Sequence, residues 1–226
     1  MQYYCRYAVR PSQEDMANTY PELRWPLMQR YVPSARHRVY SVSGIKDAVG
    51  GVLAASVSYK REQWPPDVGV STVQIGCEDE KILRAGLQVV DRILSRGIFE
   101  IELLVDGDHL YAIDLNPRAF GFVALDIARG VDLPWLWFRS TFEPQSALPR
   151  PVSGIEFEAR HKVLHFLRRI VNRRPANDTL APAECRDINS RVSVPMLGDW
   201  TDPLPMLICH LYLLRHPRSL VRSARR

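Results

Sequence analysis

Two short runs of alternating residues face each other across Asp106–Gly107, and they restrict the middle of this chain to a hairpin. In the first run Phe99, Ile101, Leu103 and Val105 alternate with Glu100, Glu102 and Leu104. In the second Tyr111, Ile113 and Leu115 alternate with Ala112, Asp114 and Asn116. Successive side chains of a strand point to opposite faces, so each run has one apolar face and one largely polar face.

Whether the polar faces coincide depends on the turn. A two-residue Asp106–Gly107 loop pairs position 105 with 108 and sets Glu102 opposite Tyr111, away from Asp114. A three-residue loop, Val105–Asp106–Gly107 with Gly107 left-handed, pairs 104 with 108. Glu102, Asp114 and Asn116 then share a face, and the apolar residues are buried together. A one-residue slip moves a whole hydrophobic set to the wrong side, so the three-residue loop is the expected one. Two carboxylates and an amide oxygen on one face form a hard-oxygen site suited to Mg²⁺ or Mn²⁺. Arg118, just beyond, has the reach and fork geometry for phosphate or carboxylate oxygens.

Other elements surround the hairpin. Pro26–Val32, His37–Ile45 and Val52–Lys60 read as strands, the last two joined through Gly50 and Gly51, and residues 61–71 read as a loop. Asp79–Ser95 carries a broad apolar stripe at helical spacing and stops before Gly97. Short helices are expected at 12–20, 122–129 and 134–138. Past Pro149 the character changes: Phe157–Arg174 reads as a basic amphipathic helix, and 203–214 as an apolar helix before an arginine-rich end. The expected architecture is α+β, an antiparallel sheet with packed helices over residues 1–147, and a basic, mainly helical extension over 148–226.

Charge separates the same two parts. The net charge is +5, yet residues 146–226 hold 14 Lys/Arg against 7 Asp/Glu, and the remainder is slightly acidic. That distribution argues against a uniform nucleic-acid binder; it leaves open peripheral contact of the basic tail with a membrane surface or another polyanion. Cysteines at 5, 77, 185 and 209 have neither metal-site nor redox-motif spacing. With no apolar leader and no run near the roughly 20 residues that span a bilayer, the expectation is a reduced, cytoplasmic protein.

The string Glu102, eleven residues, Asp114-x-Asn116-Pro-Arg118 resembles the metal-binding strand pair of the ATP-grasp superfamily, which includes carboxylate–amine ligases and carbamoyl-phosphate synthetase-like enzymes. The resemblance covers about residues 8–140 and implies a partial ATP-grasp fold. It implies Glu102, Asp114 and Asn116 as ligands of Mg²⁺ or Mn²⁺, and Arg118 near the transferred phosphate. Asp114 stands where the family often has glutamate. MQRYVPS, residues 28–34, is similar to the strand that holds adenine by its main chain, which implies Gln29, Arg30, Tyr31 and Val32 as nucleotide-binding. The segment 59–73 resembles the loop after the next strands and implies Lys60 and Arg61 as phosphate or substrate contacts; 128–134 resembles the segment after the metal strands. The implied activity is activation of a small-molecule carboxylate by ATP as an acyl phosphate, for attack by an amine. The family's phosphate-binding lysine and glycine-rich loop have no counterpart at their expected place, because lysines occur only at 46, 60, 81 and 162 and the first glycine is Gly44. An incomplete enzyme is therefore expected, with a non-catalytic nucleotide- and metal-binding protein of the same ancestry as the alternative. His161 and His165, one turn from Glu158, lack the HExxH order, and Trp135 and Trp137 read as core residues rather than pocket walls.

Overall fold

The computed structural model describes residues 32, 38–64, 70–142, 150–152, 155–160, 191–196 and, further on, 204, 207, 208 and 211. Among the described residues seven strands form one sheet: β1 (Val39–Lys46), β2 (Val52–Trp64), β3 (Val70–Cys77), β4 (Gly97–Asp106), β5 (His109–Asn116), β6 (Glu156–Arg160) and β7 (Arg191–Pro195). Their order is β5-β4-β1-β2-β3-β6-β7. All neighbours are antiparallel except β6 and β7. The helices α1 (Glu80–Ile93), α2 (Val123–Ala128) and α3 (Leu133–Phe142) accompany it. The molecule is thus α+β with a largely antiparallel sheet, and among the described residues no helix is long and apolar enough to cross a membrane.

One sheet face is apolar. Val42, Val57, Val73, Ile75, Phe99, Ile101 and Leu103 form a buried cluster with Ile82 and Val90 of α1. Burying side chains of this size contributes about 1.5–3 kcal/mol each. Asp79 caps α1, its carboxylate accepting from the Ile82 amide at 3.0 Å. Gly86 lets the helix lie close to the sheet, since a Cβ there would stand 2.6 Å from Val42 Cγ2.

The opposite face is polar over much of its area. Ser41 and Ser43 of β1 alternate with Val42, and Ser56 and Ser58 of β2 flank Val57. One end of this face is covered by α2 and α3, where Phe120, Phe122, Leu125, Leu133 and Leu136 pack with Ile45, Ala54 and Phe157. Polar contacts fasten that layer. Asp126 accepts from Ser43 at 2.7 Å and from Ser56. Arg129 donates to the carbonyls of Val57 and Cys77 at 2.8 and 3.1 Å, over Gly76, where a Cβ would stand 2.7 Å from the Arg129 chain.

Several sequence expectations need correction. Residues 61–71 are not one loop: β2 continues to Trp64 and β3 begins at Val70. Proline and glycine at 65–69 masked a strand whose Val73 and Ile75 meet the apolar core. Glu156–Arg160 is a strand, not the start of a basic helix, because its Phe157 and Ala159 fill the second core while it extends the sheet beside β3. Trp135 is half exposed and stacks on Phe138 at 5.5 Å; Trp137 packs partly against the second core. The expected helix at 12–20, most of strand 26–32, and most of the helices at 157–174 and 203–214 lie outside the described residues; Val32 itself is half-buried and in no strand.

Candidate functional site

The β4–β5 hairpin reaches its shared polar face by a route that neither expected turn contains. The turn has two residues, Gly107 and Asp108, with Asp106 opposite His109 and Gly107 at φ +58°. Continued regularly, this register would place Asp114 on the face opposite Glu102. Between Leu103 and Glu102 the register shifts: Leu103 pairs with Ala112, and Glu102 with Asp114. Ile113 is the extra residue of a β-bulge. Beyond it Glu102 faces Asp114, Ile101 faces Leu115 and Glu100 faces Asn116. The bulge allows a tight turn and a common carboxylate face in the same hairpin. It also keeps Leu115 against the apolar core.

That face carries a small charged network. Lys60 Nζ lies 2.7 Å from Glu102 Oε1, both side chains largely buried. Asn116 Nδ2 donates to Glu100 Oε2 at 2.7 Å and to Asp114 Oδ2 at 3.1 Å. Gln74 Nε2 donates to Ser58 at 2.9 Å and reaches Ser41 at 3.5 Å. Glu100 is 1% exposed. Burial first, and then the neighbouring Glu102 charge, push its carboxyl up to about 7, against the opposing pull of Ser41, Asn116 and Lys60.

The sequence-derived candidates divide. Glu102, Asp114, Asn116 and Lys60 come together. Arg61 ion-pairs with Glu158 at 3.5 Å. Arg118 is exposed at the end of β5, donating to the Ala119 carbonyl at 2.9 Å. Gln29, Arg30 and Tyr31 lie outside the described residues, as do His161 and His165. Glu158 is buried in β6 and bonded to Arg160. Glu100 was missed as a candidate, although the Glu-x-Glu spacing of 100 and 102 already placed it on the same strand face as Glu102. Asp126 left no such mark, since its partners Ser43 and Ser56 lie about 80 and 70 residues away in sequence.

In donor chemistry these side chains fit a hard divalent cation. All available ligands are oxygens, and one of them, Glu100 Oε1, is buried with no hydrogen bond among the described residues. The amide nitrogen of Asn116 is committed to two carboxylates, which leaves its carbonyl oxygen as the atom free to ligate. Among the described residues no group of three or more His, Cys, Asp or Glu could hold a metal ion. In this arrangement the Lys60 ammonium supplies the positive charge at Glu102, and a metal would have to displace it.

No family model matches the chain, and no curated protein matches it.

Proposed function

We propose that this chain carries the metal- and phosphate-binding part of an ATP-grasp ligase, which uses ATP and Mg²⁺ or Mn²⁺ to activate a small-molecule carboxylate for attack by an amine. The observation that supports it is the shifted register of the β4–β5 hairpin, which sets Glu102 opposite Asp114 and brings Asn116 onto the same face. When bound, the metal ion would offset charge on the transferring phosphoryl group.

The chain's own residues have distinct tasks in this reading. Asp114 and Asn116, on the strand at one end of the described sheet, would hold the ion. Glu102 would join them, and Lys60, which pairs with its carboxylate here, would be the group to meet a phosphate oxygen by a charge-assisted contact. Exposed Arg118, which donates to the Ala119 carbonyl here, would offset the negative charge of the acyl phosphate. The resemblance assigns the adenine edge to the main chain of Gln29–Val32, of which Val32 alone is among the described residues.

The test is Asp114→Asn in a form complemented with a phosphate-binding lobe, with melting temperature and Mg²⁺-dependent ADP release measured together. The expected result is ADP release lowered by orders of magnitude with an unchanged melting temperature. Unchanged ADP release removes Asp114 from the metal site. Nucleotide binding without any ADP release by the complemented wild type would favour the non-catalytic alternative, in which Lys60 keeps Glu102 occupied.

A further inference from the structure

An apolar surface near the end of the chain has no part in the site on the sheet. Leu204, Leu207, Ile208 and Leu211 lie in helical backbone. Positions spaced i, i+3, i+4 and i+7 share one face of a helix, and such a stripe ordinarily turns toward a core. Here all four side chains are between 53% and 58% exposed. A single exposed leucine is normal on a protein surface, whereas a stripe of large aliphatic side chains left in water marks an interaction surface.

The sequence around the stripe points to the kind of partner. Residues 203–214 contain no Asp, Glu, Lys or Arg. Directly after them stand Arg215, Arg218, Arg222, Arg225 and Arg226, and no acidic residue follows Asp202. As a helix, an uncharged stretch of this length reaches roughly 18 Å, well short of the roughly 30 Å hydrocarbon core of a bilayer, so it is suited to lie in the interface and not to cross. Arginines next to such a stretch are attracted by the negative surface of anionic lipids. One weak signal gives only reversible contact; an apolar element and a basic cluster together give stable attachment. Other partners fit less well. A second copy of the chain would cover the leucines but add another arginine-rich run of the same sign, a like charge that an anionic surface replaces with attraction. A nucleic acid would meet the arginines and leave the leucines in water.

We propose that Leu204, Leu207, Ile208 and Leu211 dock on an anionic lipid surface, entering the boundary between headgroups and acyl chains while the arginines that follow meet the lipid charges. This does not rest on the ATP-grasp reading: it concerns a different surface, and either can stand without the other.

The test is flotation of the full chain with vesicles of phosphatidylcholine alone and of phosphatidylcholine mixed with phosphatidylserine. The wild type is expected to float with the mixed vesicles and not with phosphatidylcholine alone. The double variant Leu207→Asp and Ile208→Asp is expected to bind the mixed vesicles at least about 10-fold more weakly. Arg218→Gln, Arg222→Gln, Arg225→Gln and Arg226→Gln combined should weaken binding on the order of 100-fold. Because the substituted aliphatic side chains are exposed, the melting temperature should not change; should it fall, Leu204→Ala with Leu211→Ala trims the same stripe more gently and is expected to weaken binding by a few fold. No flotation of the wild type with mixed vesicles overturns the proposal. Full binding by either stripe variant also overturns it, since charge alone would then hold the chain. Equal binding to both kinds of vesicle removes the arginines from the contact and overturns it as well. Self-association of the wild type without vesicles, abolished in the Leu207 and Ile208 variant, would assign the stripe to a second copy instead.

Discussion

Glu100→Gln carries a stability prediction, whose size follows from the burial of the carboxylate. Its carboxyl is pushed from an ordinary 4.5 to about 7, chiefly by burial and then by Glu102. The folded protein thus holds this proton more tightly than the unfolded chain does. The resulting stabilisation is fully present below pH 4.5 and is lost as pH rises through 7. At about 1.4 kcal/mol per pH unit of displacement, the loss amounts to about 3 kcal/mol by pH 8. For a chain of this length that corresponds to a melting-temperature difference of about 6–12 °C. Glutamine has the same shape and no charge to bury, so E100Q escapes the loss. Melting curves of both proteins by circular dichroism, from pH 4.5 to 8.5 in the presence of a chelator, should nearly coincide at the acid end and diverge with E100Q the more stable as pH rises. Buried Asp126, whose carboxyl is likewise raised by burial, slopes both curves in the same sense and cancels in the difference. A difference that stays constant over this range, or that widens towards acid, would refute the reasoning.

Three further outcomes follow from the packing. Asp126→Ala leaves the buried hydroxyls of Ser43 and Ser56 without their shared acceptor and should lower unfolding free energy by about 2–4 kcal/mol, read from urea melts; a change below 0.5 kcal/mol would mean that α2 is held by its apolar contacts alone. Gly86→Ala drives a methyl to 2.6 Å from Val42 and should cost about 1–3 kcal/mol despite the better helix propensity of alanine, whereas Gly121→Ala, with open space, should not; equal melting temperatures for the two variants would contradict the close approach of α1. Deleting Ile113 removes the extra residue of the bulge and leaves Glu102 opposite Asp114, so Mn²⁺ binding measured by electron paramagnetic resonance should persist; its loss would show that the bulge shapes the site beyond choosing the face.

Much of this arrangement was legible before any coordinates. Strands β1, β2, β4 and β5 and helix α1 appear where alternation, helical spacing and capping residues place them, within a few residues at each end. The grouping of Glu102, Asp114 and Asn116 followed from a simple demand, that Leu103 and Leu115 be buried together. The means of meeting that demand was not legible. A three-residue turn and a two-residue turn with a bulge both bring the acidic residues to one face, and nothing in the residues around Ile113 distinguishes them. β3 and β6 were missed for a related reason: short strands, one hidden beside Pro65, Pro66 and Gly69 and the other within an arginine-rich run, are stabilised by neighbours rather than by their own pattern.

The amino-acid sequence by itself determined which side chains share a face of each strand, because the two-residue repeat of an extended chain is local and is set by the covalent backbone. It also determined the donor chemistry of that face, oxygens without His or Cys. Only the tertiary structure decided that Glu100 is buried there against Asn116 and that Lys60 lies against Glu102. Lys60 reaches Glu102 across β1, an intervening strand from another part of the chain. The perturbed acidity of Glu100 comes from the loss of water around it, and desolvation is a property of the packed sheet and its covering layers that no local pattern of residues encodes.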